Sequence, residues 1–147
     1  MRGAALSRIR RAFDPRGRLS AHAYRLHFVR SVLAFAGLVC LAIWLAALDF
    51  RLFGILAFAG NLIVLAVLGA RTARRLHDRN RSAAWLGVYA LVYAASFAPI
   101  ETAADRHPVV VIVGVLVILG FLSWFFVETF LRQGTPGLNR FGAEPDS

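Results

Sequence analysis

A chain of 147 residues has room for one domain, and with 59% hydrophobic residues it exceeds the roughly half apolar content of soluble proteins. Such a chain cannot clothe itself in polar surface, so lipid is the expected solvent for much of it. Its basic residues are 17 arginines and no lysine against 8 acidic residues, a formal charge of +9. That balance points to nucleic acid or an anionic membrane surface, and the hydrophobicity decides for the membrane. The one cysteine, Cys40, excludes an internal disulfide framework and, set in an apolar run, is expected to be inert buried packing.

In chain order, Leu6, Ile9 and Phe13 recur at helical spacing with Arg8, Arg10 and Arg11 on the other face, the pattern of a basic amphipathic helix lying in the headgroup layer. FDPRGR then breaks the pattern through Pro15 and Gly17, and Ser20 is placed to cap the next helix, which runs through His22, Tyr24 and Arg25. Four stretches are long and uncharged enough to cross a hydrocarbon core of about 30 Å: Ser31 to Leu48, Leu52 to Ala70, Ala83 to Ile100 and Val109 to Leu131. The third is rich in alanine and carries Tyr89, Tyr93 and Ser96, which fits an interior place in a bundle. The first is expected to stay as an anchor, because its leader is too long for a signal-peptide n-region and WLAALDF offers no small-x-small cleavage site.

Eight arginines precede the first span, five lie between the second and third, and two follow the fourth, whereas the other two connections carry only Arg51 and Arg106 beside acidic residues. Basic excess on short loops marks the cytoplasmic side. Both termini and the RRLHD loop are therefore expected inside, with LDFRL and ETAADRHP outside.

Arg71, Arg74, Arg75 and Asp78 follow spacings of three and four, so a helix continuing past Ala70 puts them on one face with Asp78 in reach of Arg74 and Arg75. Asn80 tolerates the left-handed conformation that ends helices and Ser82 can cap the next span, so Arg79 to Arg81 is expected to be a tight turn between antiparallel helices. In the tail, Thr-Pro-Gly-Leu suits a type II turn that folds the chain back after Leu131, bringing Asn139 and Arg140 toward Asp78. Within the spans, Asn61 is expected to donate to a neighbouring helix and Glu128 to pair with Arg132. Ala90, Ala94 and Ala98, and Ala66 with Ala70, have the four-residue spacing that lets helices approach closely.

Reactive chemistry needs more than these residues offer. A His77–Asp78 pair is common to metal phosphohydrolases, but a metal site wants three or four ligands, and His22, His27 and His107 supply no ligand spacing. No nucleophile stands at a recognisable distance from a base, and no glycine-rich phosphate loop follows a strand. No catalytic residue, metal or cofactor is expected.

FDPRGRLS, RRLHDRNRS and GTPGLNRFG, in that order around four apolar spans, resemble the bacterial inner-membrane family called domain of unknown function 805. That family reads F-x-x-x-GR-x-S-R-x-E-Y-W near its start, RRLHD-x-G-x-SGWW in its central loop and G-x-x-G-x-NRYG-x-x-P at its end. The resemblance covers residues 13–145 and implies a plasma-membrane protein without implying an activity. Arg74, Arg75, Leu76, His77, Asp78, Asn139, Arg140 and Gly142 match. Ala23 stands where the family has the glutamate of a capping box, Arg25 where it has tryptophan, and Ala83 and Ala84 where it has glycine and tryptophan.

The expected fold is all-α: an integral membrane four-helix bundle over residues 20–131, preceded by a basic amphipathic interfacial helix in residues 1–19 and followed by a cytoplasmic tail, residues 132–147. The expected function is that of a non-enzymatic structural or adaptor module of the bacterial inner membrane. Arg16, Arg18, Arg74, Arg75, His77, Asp78, Asn139 and Arg140 form its candidate site for anionic lipid headgroups or an acidic partner, since guanidinium matches phosphate bidentately. The alternatives are a small transporter or channel subunit acting as an oligomer, and a membrane enzyme on a phosphate-bearing substrate. A homo-oligomer or a membrane-protein partner fits the small-residue spacing; nucleic acid does not fit, because surface aromatics are not interleaved with the arginines.

Overall fold

The structure is a computed structural model that describes residue 10 and residues 12–145. Leu6, Arg8, Ile9 and Arg11, on which the expected amphipathic helix rests, lie outside the described residues. The elements are helices: α1 (Ala21–Ala47), α2 (Arg51–Asp78), α3 (Ala84–Ala95), α4 (Glu101–Arg106) and α5 (Pro108–Phe126), which continues into a π-helical turn, Val127–Leu131. Among the described residues there is no strand, only an isolated bridge between Asn139 and Gly142.

Three of these helices are long and apolar enough to cross a membrane: Ala21–Ala47, Arg51–Asp78 and Pro108–Leu131. At 1.5 Å per residue α1 and α2 are each about 40 Å long, some 10 Å more than a hydrocarbon core. The excess of α2 is its last two turns, RTARRLHD. Apolar side chains face outward along all three, with Leu33, Ile43, Leu52, Leu62 and Val109 each more than 60% exposed, while the buried residues include Arg18, Arg75, Asp78 and Glu128. This inversion of the soluble pattern suits a lipid-facing exterior.

The third span expected from Ala83 to Ile100 is not one continuous helix. α3 has 12 residues, about 18 Å, and unwinds through single turns at Ser96, Phe97 and Ala98 before Pro99, whose ring disfavours helix in the residue before it. Ser82 to His107 nonetheless joins the two ends of α5, since Arg79 and Arg81 at the end of α2 touch Glu128 near the end of α5.

Helix ends obey local chemistry. Ser20 Oγ accepts from Ala23 N–H at 3.4 Å and caps α1, as expected. α2 ends in a Schellman motif: Asn80 N–H donates to His77 O at 2.9 Å and Arg81 N–H to Leu76 O at 2.8 Å, with Asn80 at φ 54°. Asp49, at φ 62°, ends α1 the same way, with Phe50 N–H on Leu45 O at 2.9 Å. Pro108 opens α5, where its missing N–H costs nothing.

α1 and α2 form an antiparallel hairpin that packs tightly at Gly54, where an added Cβ would lie 2.9 Å from the Ala42 carbonyl oxygen. The alanine rows read from the sequence do not make this contact; Ala66, Ala90, Ala94 and Ala98 are exposed. Cys40 is exposed on α1 rather than buried. Asn61 is 3% exposed, yet neither amide atom has a partner, so the expected donation to a neighbouring helix is not made. Between the hairpin and the α3–α5 pair lies a largely apolar cavity of about 710 Å³, bordered by Tyr24, Leu68, Tyr89 and Phe125.

Candidate functional site

The end of α2 gathers three remote segments around Asp78. Oδ1 accepts from Arg18 Nε at 3.0 Å and Nη2 at 2.9 Å, and Oδ2 accepts from Arg75 Nη1. Asp78 is 1% exposed, Arg75 0% and Arg18 6%. A carboxylate so removed from water is held only where strong donors replace its hydration, and two guanidinium forks meet that need.

Every nitrogen of each fork donates. Arg18 Nη2 also donates to Thr135 O, and Nη1 to Gly137 O and Gly142 O, which binds the tail to the segment before α1. Arg75 Nε donates to Thr129 O at 2.8 Å and its Nη2 to Arg132 O. Those carbonyls belong to the last turn of the third long helix and to the residue that follows it, where no intrahelical donor remains, so Arg75 acts as a C-terminal cap supplied by another helix.

The tail completes the knot. Thr135 donates from both N–H and Oγ1 to Asp78 O, at 2.9 and 3.0 Å. Gly137 has φ 68°, as the third position of a type II turn requires, and the chain folds back as expected. Asn139 Nδ2 then reaches His77 O at 3.1 Å and Thr135 Oγ1 at 2.8 Å, while its Oδ1 accepts from Phe141 N–H at 2.9 Å. The His77 ring stacks on Phe141 at 3.9 Å between centroids, and its Nδ1 lies 3.2 Å from Gly17 O. Arg140 lies over Phe141 and donates to Asn80 O at 2.9 Å.

Of the eight site residues read from the sequence, Arg18, Arg75, His77, Asp78, Asn139 and Arg140 come together. Arg74 does not reach Asp78 as expected; its Nη2 donates to Arg18 O at 3.3 Å, and Leu19 N–H returns a bond to Arg74 O. Arg16 is exposed, and its backbone N–H donates to Asp14.

A second centre stands beside the first. Glu128, 1% exposed, accepts from Arg79 Nε at 3.2 Å, Arg81 Nε at 2.9 Å and Arg132 Nη1 at 3.2 Å. The pairing with Arg132 is the expected one; Arg79 and Arg81 were not foreseen. Arg132 N–H donates to Val127 O, five residues back, and this π-turn lets both Glu128 and Thr129 face inward. Arg81 also lies over Trp124 at 5.1 Å and Trp85 at 6.0 Å.

FDPRGRLS, RRLHDRNRS and GTPGLNRFG thus meet in one knot although more than 100 residues separate the first from the last. The family described as "Protein of unknown function (DUF805)" matches residues 12–143. The chain belongs to the DUF805 family. No curated protein and no solved structure matches it. In this DUF805 chain the three matching stretches answer to one physical demand: Asp78 needs Arg18 from the first and Arg75 from the second, and Arg18 holds the carbonyls of the third.

Proposed function

We propose that this DUF805 protein is a non-enzymatic structural or adaptor module of the bacterial inner membrane, holding anionic lipid headgroups or an acidic partner at its cytoplasmic face. The observation that carries the structural part of the reading is the buried Arg18–Asp78–Arg75 knot. With every guanidinium nitrogen engaged by carboxylate or backbone oxygens, these arginines act as a fastening that makes the amino-terminal segment, the α2–α3 turn and the tail one rigid plate. Anion capture falls to the arginines outside it, Arg16 and Arg140 among them.

Charge asymmetry supports the orientation. Between residues 12 and 145 the Asp78 end carries eleven arginines against four carboxylates, and the other end two arginines against three carboxylates; the basic end belongs in the cytoplasm. On this reading α3 and the segment to His107 make a fourth crossing, partly unwound, against α5.

The test is sedimentation with vesicles of phosphatidylglycerol or of phosphatidylcholine. The full chain binds the former and not the latter, and neutralising Arg16 and Arg140 to glutamine weakens binding by about 1 kcal/mol per charge, less so as salt rises. Binding indifferent to both changes overturns the lipid reading. One observation favours a second reading, a transporter or channel subunit acting as an oligomer: Asn61 lies buried in a span with its amide unpartnered.

A further inference from the structure

Eight of the eleven arginines of the Asp78 end fall into three groups. Arg18 and Arg75 pair with Asp78, and Arg79, Arg81 and Arg132 with Glu128. Arg30 on α1 and Arg71 and Arg74 on α2 form the third; among the described residues none of them pairs with a carboxylate. Arg30 and Arg71 share the wall of one groove with His27, and Arg74 follows Arg71 by three residues, one helical turn, on α2. Like charges gathered across two helices cost free energy unless an anion joins them.

The groove, of about 320 Å³ and lined by α1 and α2 alone, holds Arg30 and Arg71 in its wall, with Arg74 three residues beyond Arg71 on α2. It is amphiphilic along its length: His27, Arg30 and Arg71 stand at one end and Ile63, Val64 and Val67 at the other. Its level is set by the sequence. Arg30 immediately precedes the apolar stretch of α1 and Arg71 immediately follows that of α2, so both lie where hydrocarbon gives way to headgroups. Asp78 lies seven residues further on, about 10 Å beyond that boundary. The knot therefore stands in water, and the groove stands at phosphate depth.

We propose that this groove binds the headgroup of a phospholipid carrying two phosphates, with an acyl chain laid along Ile63, Val64 and Val67. Two guanidiniums in the groove wall without a carboxylate partner, Arg30 and Arg71, favour two anionic charges over one, and the apolar wall below them favours a lipid over a free phosphate. Basic pockets between membrane helices on the cytoplasmic side hold such headgroups elsewhere. The proposal rests on the reading that this end faces an anionic leaflet, and it assigns the ligand to a site separate from Arg16 and Arg140.

The test is native mass spectrometry of the full chain in detergent with four added probes: a bis-phosphatidyl glycerol lipid, phosphatidylglycerol, phosphatidylcholine and inorganic pyrophosphate. The two-phosphate lipid should bind most tightly, and Arg30→Gln with Arg71→Gln should weaken it about thirtyfold, at about fivefold per arginine. Arg30→Lys with Arg71→Lys should retain most of the affinity, and Arg51→Gln with Arg106→Gln, at the other end, all of it. Because the double glutamine variant could disturb the hairpin, the exposed Arg30→Gln alone should still lose about fivefold. Undiminished binding in both glutamine variants overturns the proposal, and pyrophosphate binding as tightly as the lipid overturns its lipid assignment. If wild type also fails to prefer phosphatidylglycerol vesicles over phosphatidylcholine, the wider reading fails; if that preference stands while the glutamine variants bind normally, only the groove is lost.

Discussion

Gly134 presses its backbone against the Asp78 carboxylate: a Cβ added there would lie 2.3 Å from Oδ2 and 2.7 Å from Cγ. Both neighbours are constrained, because Asp78 is fixed by Arg18 and Arg75 and Gly134 by the adjacent Thr135, bound to Asp78 O. Gly134→Ala should therefore push the tail off the knot rather than be absorbed, at a cost of about 1–3 kcal/mol. Limited proteolysis reads the effect, with cleavage after Leu131 much faster in the variant than in wild type.

Removing the anion at the centre should cost more than removing one cation. Asp78→Ala leaves two buried guanidiniums facing each other, a loss of about 3–5 kcal/mol. Adding Arg18→Met should give part of that back, because one uncompensated charge goes with it. Unfolding in mixed micelles of both single variants and the double measures the coupling. Additive losses would show that the two residues do not act as a unit.

Glu128 pairs with three arginines through one carboxylate, so Glu128→Gln should have two opposite effects. The last turn of the long helix should loosen, lowering the melting temperature, while Arg79, Arg81 and Arg132 become available to phosphate. Affinity for phosphatidylglycerol vesicles should then rise several-fold at low salt and fall back toward wild type at high salt. Unchanged affinity would mean that these arginines find other internal partners.

Much of this arrangement is legible before folding because its signals are local. Ser20 caps α1, Asn80 ends α2 and Pro136-Gly137 turns the tail, each through backbone preferences that a short window carries. Apolar run lengths identify three of the long helices in the same way. What escapes is set by contacts between distant segments. Arg74 and Arg75 are adjacent and chemically alike, yet only Arg75 faces Asp78, since Arg74 is turned toward Leu19 and Arg18. Nothing near Glu128 in the chain announces Arg79 and Arg81, although a lone carboxylate with five loop arginines on its side of the bundle was a signal available to charge counting. The break in α3 was also masked, because residues 84–100 have the apolarity of a span without its regularity.

The proposed orientation rests on arginine distribution and can be checked residue by residue. In a Cys40→Ala background, single cysteines at Arg16, Leu138 and Asp105 should divide into two classes toward a membrane-impermeant maleimide. Asp105→Cys should label in intact cells, whereas Arg16→Cys and Leu138→Cys should label only after lysis. Leu138 is 83% exposed, so protection there reports the membrane and not local packing. Labelling of Leu138→Cys and Asp105→Cys together would remove the basis for a shared cytoplasmic plate.

Asn61 separates the structural reading from the transport reading. Its amide is buried between α1 and α2 with neither atom hydrogen-bonded, and an orphaned polar group costs about 1–3 kcal/mol relative to a satisfied one. If the hairpin is simply a scaffold, Asn61→Leu should raise stability by about 1–2 kcal/mol, because a side chain of similar size replaces one that gains nothing from its burial. Neither vesicle binding nor lipid retention should change, since the substitution lies away from the Asp78 end and leaves its arginines intact. If instead the chain conducts or carries a solute as an oligomer, the unpaired amide is what the pathway uses, and reconstituted wild-type protein should show a flux that Asn61→Leu lowers. A more stable variant with unaltered vesicle binding, and no flux in either protein, supports the scaffold; a flux lost on substitution supports the transporter.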